Sequence, residues 1–203
     1  MKHCLNNTWR PVLVGTALLF LIVCESAALN AQSTTNAPSS ASAPGSGSLL
    51  SNGDFQLATA DPTWPDDWPK GAGITWETDS GKHFLRLVSQ KPGQHLMAYR
   101  EIPIPPGIKN VQVTIRYRTS GISPGVQNWM DARAIFHFID DSRKVLSPDP
   151  GPMDFSSDAA DWTVASAQYA VPAGATKMML MPSLFMVAAG TLDLAEVDVT
   201  AAP

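Results

Sequence analysis

The run Val111-Gln112-Val113-Thr114-Ile115-Arg116-Tyr117-Arg118 alternates apolar and polar residues without a break. Successive side chains of a β-strand point to opposite faces, so this segment is fitted to a strand with one face on a core and the other in water. Runs with β-type alternation recur at Phe84–Ser89, His95–Ile104, Ala132–Ile139, Trp162–Val171, Met178–Met186 and Thr191–Val199. Between them stand Asp79-Ser80-Gly81, Pro105-Pro106-Gly107, Asp140-Asp141-Ser142 and Pro172-Ala173-Gly174, which supply the φ values and missing donors that reverse a chain. No segment beyond the N-terminal region has a helical period, and no strand-helix-strand alternation is visible. Roughly seven to nine short strands in one domain predict an all-β fold, a two-sheet antiparallel β-sandwich. The 17 prolines, 14 glycines and 16% charged residues suit such a turn-rich architecture.

The N-terminal region reads differently. Lys2 and Arg10 precede Pro11–Cys24, an uncharged stretch rich in Leu, Val and Ile that is short for a bilayer span. Small residues follow at Ser26-Ala27-Ala28 and at Ala31, so residues 1–31 are expected to be a signal peptide with a helical apolar segment, cleaved after Ala28 or Ala31. The mature form would then have no transmembrane span and would be secreted or periplasmic. An alternative is a lipid anchor through Cys24, because Leu21-Ile22-Val23-Cys24 resembles a bacterial lipobox, although Val23 stands where a small residue is expected. Residues 32–48, QSTTNAPSSASAPGSGS, offer nothing large to bury and are expected to form a flexible linker. The folded domain is expected over residues 49–201. Both cysteines, Cys4 and Cys24, precede it, so its core must hold by packing alone.

Several chemistries are excluded or weakened. The net charge is −4, and removing a leader with two cations and one carboxylate lowers it further, which excludes nucleic acid as a partner. Gly121-Ile122-Ser123-Pro124-Gly125 matches the G-x-S-x-G nucleophile elbow in form only. The residue after the nucleophile must donate a backbone N–H to the oxyanion, and Pro124 has none. Asp66-Asp67 and Asp140-Asp141 are sequence neighbours, which cannot by themselves flank a glycosidic bond, whereas a distant pair such as Glu101 with Asp131 could. His83, His95 and His137 show no metal-ligand spacing.

Leu49-Leu50-Ser51-Asn52-Gly53-Asp54-Phe55, the Trp-rich stretch Thr63–Lys70 and Phe84-Leu85-Arg86-Leu87 resemble carbohydrate-binding modules of the CenC type, which are galactose-binding-domain-like jelly rolls. Ile102-Pro103-Ile104-Pro105-Pro106-Gly107, Trp162, Tyr169–Ala175 and the closing Gly190–Val199 extend the likeness to the whole domain. The resemblance implies a jelly roll that binds a poly- or oligosaccharide on a sheet face or on loops at one edge, without catalysis, and often beside a separate glycoside hydrolase. Two other functions stay open: a cell-envelope protein-interaction or structural module, and a glycan-active hydrolase or lyase. The family often holds a structural calcium. Here Gln56 and Ala195-Glu196 depart from the acidic pattern, leaving Asp54 and Glu196 as the candidate ligands; no other cofactor is expected.

A pyranose ring has an apolar C–H face and an equator of hydroxyls, so its binder needs flat aromatic surfaces with planar polar partners. Trp68, Trp76 and Trp129, with Tyr99, are the candidate platform, and Arg100, Arg116, Arg133 and His137 the candidate polar partners. Alternation puts Met179 and Met181 on one face, a candidate apolar floor. Trp162, after the polar loop Ser156–Asp161, is expected to be structural.

Overall fold

A computed structural model describes residues 47–155 and 158–203; the expected signal peptide and nearly all of the expected linker lie outside the described residues. The described residues contain no helix. Ten strands occur: β1 (Ile74–Asp79), β2 (Lys82–Val88), β3 (Gln94–Met97), β4 (Arg100–Pro103), β5 (Asn110–Ser123), β6 (Ala132–Ile139), β7 (Met153–Asp154), β8 (Ala159–Ala170), β9 (Lys177–Val187) and β10 (Ala189–Ala202). They form two antiparallel sheets, one in the order β1-β2-β10-β5-β8 and one in the order β3-β9-β6-β7, with β4 also pairing β9. The expected two-sheet sandwich is the observed fold.

Alternation builds the core between the sheets. Val111, Val113 and Ile115 of β5 and Leu85 and Leu87 of β2 face Phe136 and Phe138 of β6 and Met178, Leu180 and Leu184 of β9, and all ten are fully buried. A bulge in β10 between Leu194 and Glu196 adds one residue, so Leu192, Leu194, Val197 and Val199 all reach the core despite the three-residue step in their spacing.

Pro182 breaks one expected strand. It lies within β9, flanked by β6 on one side and by β3 and β4 on the other. Its carbonyl accepts the Ala98 N–H at 2.9 Å, but its nitrogen has no hydrogen to return. The expected single strand His95–Ile104 therefore divides into β3 and β4 opposite this residue. The G-x-S-x-G segment ends β5 at Ser123 and leads into a loop.

The outer face of the sheet β3-β9-β6-β7 as candidate functional site

The residues of β6 and β9 that alternate with the core positions look outward. Arg133, Ile135 and His137 stand opposite Ser183, Met181 and Met179 in the β6–β9 register. On the other flank of β9, His95 pairs with Phe185, Met97 with Ser183 and Glu101 with Met179. One sheet face thus carries aromatic, apolar and charged groups in sequence along β9.

Aromatic rings gather at one end. The Phe185 ring meets His95 edge-on at 4.6 Å and lies 5.7 Å from Trp129, which is 51% exposed. The Trp129 loop is closed by hydrogen bonds from Gly125 N–H to Met130 O (2.7 Å) and from Met130 N–H to Gln127 O (2.9 Å). A Cβ on Gly125 would sit 2.2 Å from the Met186 carbonyl oxygen, so only glycine allows the loop to approach β9 this closely.

Charged groups run along the face from Arg133, opposite Ser183 and beside the aromatic end, to His137 and Glu101, opposite Met179, and each has a partner. The buried Asp131 carboxylate accepts from Arg133 Nε at 2.6 Å, and Arg133 also reaches Asp154 at 3.4 Å. His137 Nδ1 is 2.6 Å from an Asp149 oxygen. Glu101 accepts from the Tyr99 hydroxyl at 2.5 Å, from Lys177 Nζ at 3.2 Å and from Arg143 at 2.5 Å. The Tyr99 hydroxyl is the main cause, with Lys177 and Arg143, that brings the Glu101 carboxyl down to about 2. Burial, then the hydrogen bond donated to Glu101, pushes the Tyr99 phenol up. Arg143 reaches this cluster from a turn whose hub is Asp140, which accepts the Ser142 and Lys144 N–H groups; Arg143 itself takes φ 66°.

Four of the seven expected sugar contacts, Tyr99, Trp129, Arg133 and His137, therefore share this face, over the Met179 and Met181 floor. The other three lie elsewhere. Trp68 is a core residue, 5% exposed, with its indole N–H donated to Asn52 O at 2.8 Å and its ring 4.7 Å from Phe55. Asn52, at φ 50°, folds the chain back so that its amide holds Leu57 O and Asp66 O, and this turn draws the loop tryptophan inward. Trp76 lies on β1, stacked on His83 at 3.8 Å and donating to Phe55 O at 3.1 Å. Arg116 projects from the opposite sheet, 5.3 Å over Trp162. Arg100, also considered as a polar partner, is tied to Ser51 and lies 5.0 Å over Trp68.

Trp162 lies on the outer face of that opposite sheet, edge-on to Phe84 at 5.5 Å and 4.4 Å from the Arg118 guanidinium. Asp193 beneath is almost fully buried and accepts from Arg86 Nε at 2.7 Å and Arg118 Nε at 2.6 Å. A cavity of about 510 Å³ sits in the Ser51–Lys70 loop beside Trp64, Leu57 and Asp66.

Asp54 and Glu196, the candidate calcium ligands, are neighbours. Burial, with Asp198 and Asp54 adding their charge, pushes the Glu196 carboxyl up. Among the described residues no three His, Cys, Asp or Glu side chains converge to hold a metal ion, so the side chains alone do not complete a calcium shell.

No protein-family model matches the chain, and no curated protein is similar to it in sequence. Solved structures are similar in fold. TmCBM61, solved with β-1,4-galactotriose, superposes with a TM-score of 0.51 at 10% identity, over 76% of this chain and 99% of that one. The domain shares the β-sandwich fold of a carbohydrate-binding module. The enzymatically active domain of tailspike protein 4 from bacteriophage CBA120 superposes with a TM-score of 0.56 at 12% identity, over 76% of this chain. This chain spans only 21% of that tailspike chain's length.

Phe185, His95 and Lys177 also line this face and were not among the expected contacts. Continuing the two-residue step from Met179 and Met181 to Ser183 and Phe185 would have placed Phe185 on the face.

Proposed function

We propose that the domain is a non-catalytic carbohydrate-binding module of an exported protein, and that it binds an uncharged poly- or oligosaccharide along the outer face of the β3-β9-β6-β7 sheet. The observation that carries this reading is the order of groups along β9: the exposed Trp129 ring beside the half-buried Phe185, an apolar floor, then a hydrogen-bonding end at His137 and Glu101. From Phe185 to Lys177 the strand extends roughly 26 Å at the usual rise per residue, room for several pyranose units. Arg133, Arg143 and Lys177 on the face are each paired with a carboxylate, which favours a neutral ligand that hydrogen-bonds over an anionic one.

The same pairing argues against hydrolysis. A glycosidase needs one carboxyl kept protonated near neutral pH as general acid, and Glu101 is driven the opposite way. The fold shared with TmCBM61, which was solved with β-1,4-galactotriose, supports the binding reading, as does the CenC-type resemblance. A glycan array followed by affinity electrophoresis on β-glucans, galactans, xylans and mannans tests it, with reducing-sugar release measured in parallel. Retardation by a neutral glycan without sugar release is expected. Absence of any retained glycan favours the envelope-interaction alternative, and sugar release favours the enzyme.

A further inference from the structure

The sheet edges are treated unequally. β1 is six residues long and carries Glu77 and Asp79, β7 has two residues, and β3 and β4 are interrupted opposite Pro182. β8 has twelve residues and, among the described residues, pairs with β5 alone. Proteins commonly guard such an edge with lysine, proline or a bulge, because its unpaired N–H and C=O groups are a template for another strand. From Thr163 to Ala170 the strand reads TVASAQYA, with no charge and no proline.

The hydrogen-bond phase shows which groups are free. Val171 N–H donates to Lys109 O at 2.8 Å, and the register continues as Ala170 with Asn110, Tyr169 with Val111 and Ala167 with Val113. In an antiparallel pair alternate residues bond to the neighbour, so Ala165, Ala167 and Tyr169 serve β5. Val164, Ser166, Gln168 and Ala170 turn their N–H and C=O groups to the open edge. Their side chains stand off the sheet faces and leave that edge unobstructed, with Val164 60% exposed.

We propose that β8 pairs antiparallel with β8 of a second copy, joining the two five-stranded sheets into one across a two-fold axis. The edge is complementary to itself. With the axis at Ser166, Val164 lies opposite the partner's Gln168, and every outward N–H finds an outward C=O. Asp161, the one carboxylate of the strand, stands in the irregular part of β8 between Ala159 and Thr163, outside the regular edge that pairs. A two-fold axis that pairs antiparallel strands within one sheet is normal to that sheet. Both β3-β9-β6-β7 faces therefore look the same way, and the dimer presents two binding faces to one polymer. This last consequence rests on the function proposed above; the pairing does not.

Sedimentation equilibrium of the purified protein over a rising concentration series tests the dimer. The expected result is a concentration-dependent approach to twice the chain mass, abolished in Val164→Lys, whose charge guards the edge without touching the β5 ladder. Amide hydrogen exchange on the wild type gives a readout that no substitution can confound. Val164, Ser166, Gln168 and Ala170 amides should be protected at high concentration and lose protection on dilution. A single-chain mass throughout, or unprotected amides at those four positions, overturns the proposal. If the dimer forms, binding to a long glycan should exceed binding to its short oligosaccharide by about 100-fold, and Val164→Lys should lose that gain. A dimer without the gain leaves the pairing intact and counts against the glycan face.

Discussion

Replacing Trp68 separates two roles that a loop tryptophan can have. Its ring is 95% removed from solvent, its N–H is bonded to Asn52 O, and the Arg100 guanidinium lies over its outer surface. An indole buries about 200 Å², and at roughly 25 cal/mol per Å² its transfer alone stabilises by up to about 5 kcal/mol. Partial burial in the unfolded chain lowers that figure, while the cavity and the orphaned Asn52 carbonyl raise it again, so Trp68→Ala is expected to cost about 4 kcal/mol. For a domain of this size that lowers Tm by roughly 8–16 °C. Trp68→Phe keeps most of the packing and loses the hydrogen bond, and should cost about half as much. Thermal unfolding followed by near-UV circular dichroism reads both, and glycan titration below the transition should give near-wild-type affinity. A Trp68→Ala protein of unchanged stability that has lost glycan binding would refute the argument and return Trp68 to the sugar-contacting group.

Three further outcomes follow from the described contacts. Asp193→Ala strips the shared carboxylate from Arg86 and Arg118 and should cost about 3 kcal/mol by urea unfolding; a cost below about 1 kcal/mol would mean that water already screens the triad. Glu101 titrates at about 2 when folded, below the ordinary glutamate value of about 4.3, so its contribution is complete above the latter and lost as pH falls toward the former. The Tm of Glu101→Gln should accordingly fall less than that of the wild type between those two pH values, and parallel curves would show that the cluster contributes nothing. Gly125→Ala should push the Trp129 loop away from Met186, seen as a shifted tryptophan emission and weaker glycan binding with the core transition retained; unchanged emission and affinity would show that the loop is held by other means.

The sandwich was legible because alternation is a local signal. β6 occupies the very residues, Ala132–Ile139, that its pattern marked. What escaped the sequence depends on partners across the sheet. The division of His95–Ile104 is caused by Pro182, some eighty positions later in the chain, and the bulge in β10 shows only when Leu194 and Val197 are seen facing one core. Alternation puts Arg133 and His137 on one face of β6, but it does not say which sheet a strand joins, so Trp76 on β1 and Arg116 on β5 fall elsewhere. The loop tryptophans Trp68 and Trp129 look alike in sequence, and what separates them is a backbone turn at Asn52 that draws Trp68 inward and that a chain of letters does not display.

The most direct measurement is an NMR titration of the ¹⁵N-labelled protein with the glycan that the array selects. If the outer face of the β3-β9-β6-β7 sheet is the binding surface, the largest amide shifts should fall on His95–Glu101, Trp129–His137 and Met179–Phe185, with the Trp129 indole N–H moving most. Shifts confined to the Ser51–Lys70 loop, or to the Phe84, Arg118 and Trp162 face of the opposite sheet, would contradict the account.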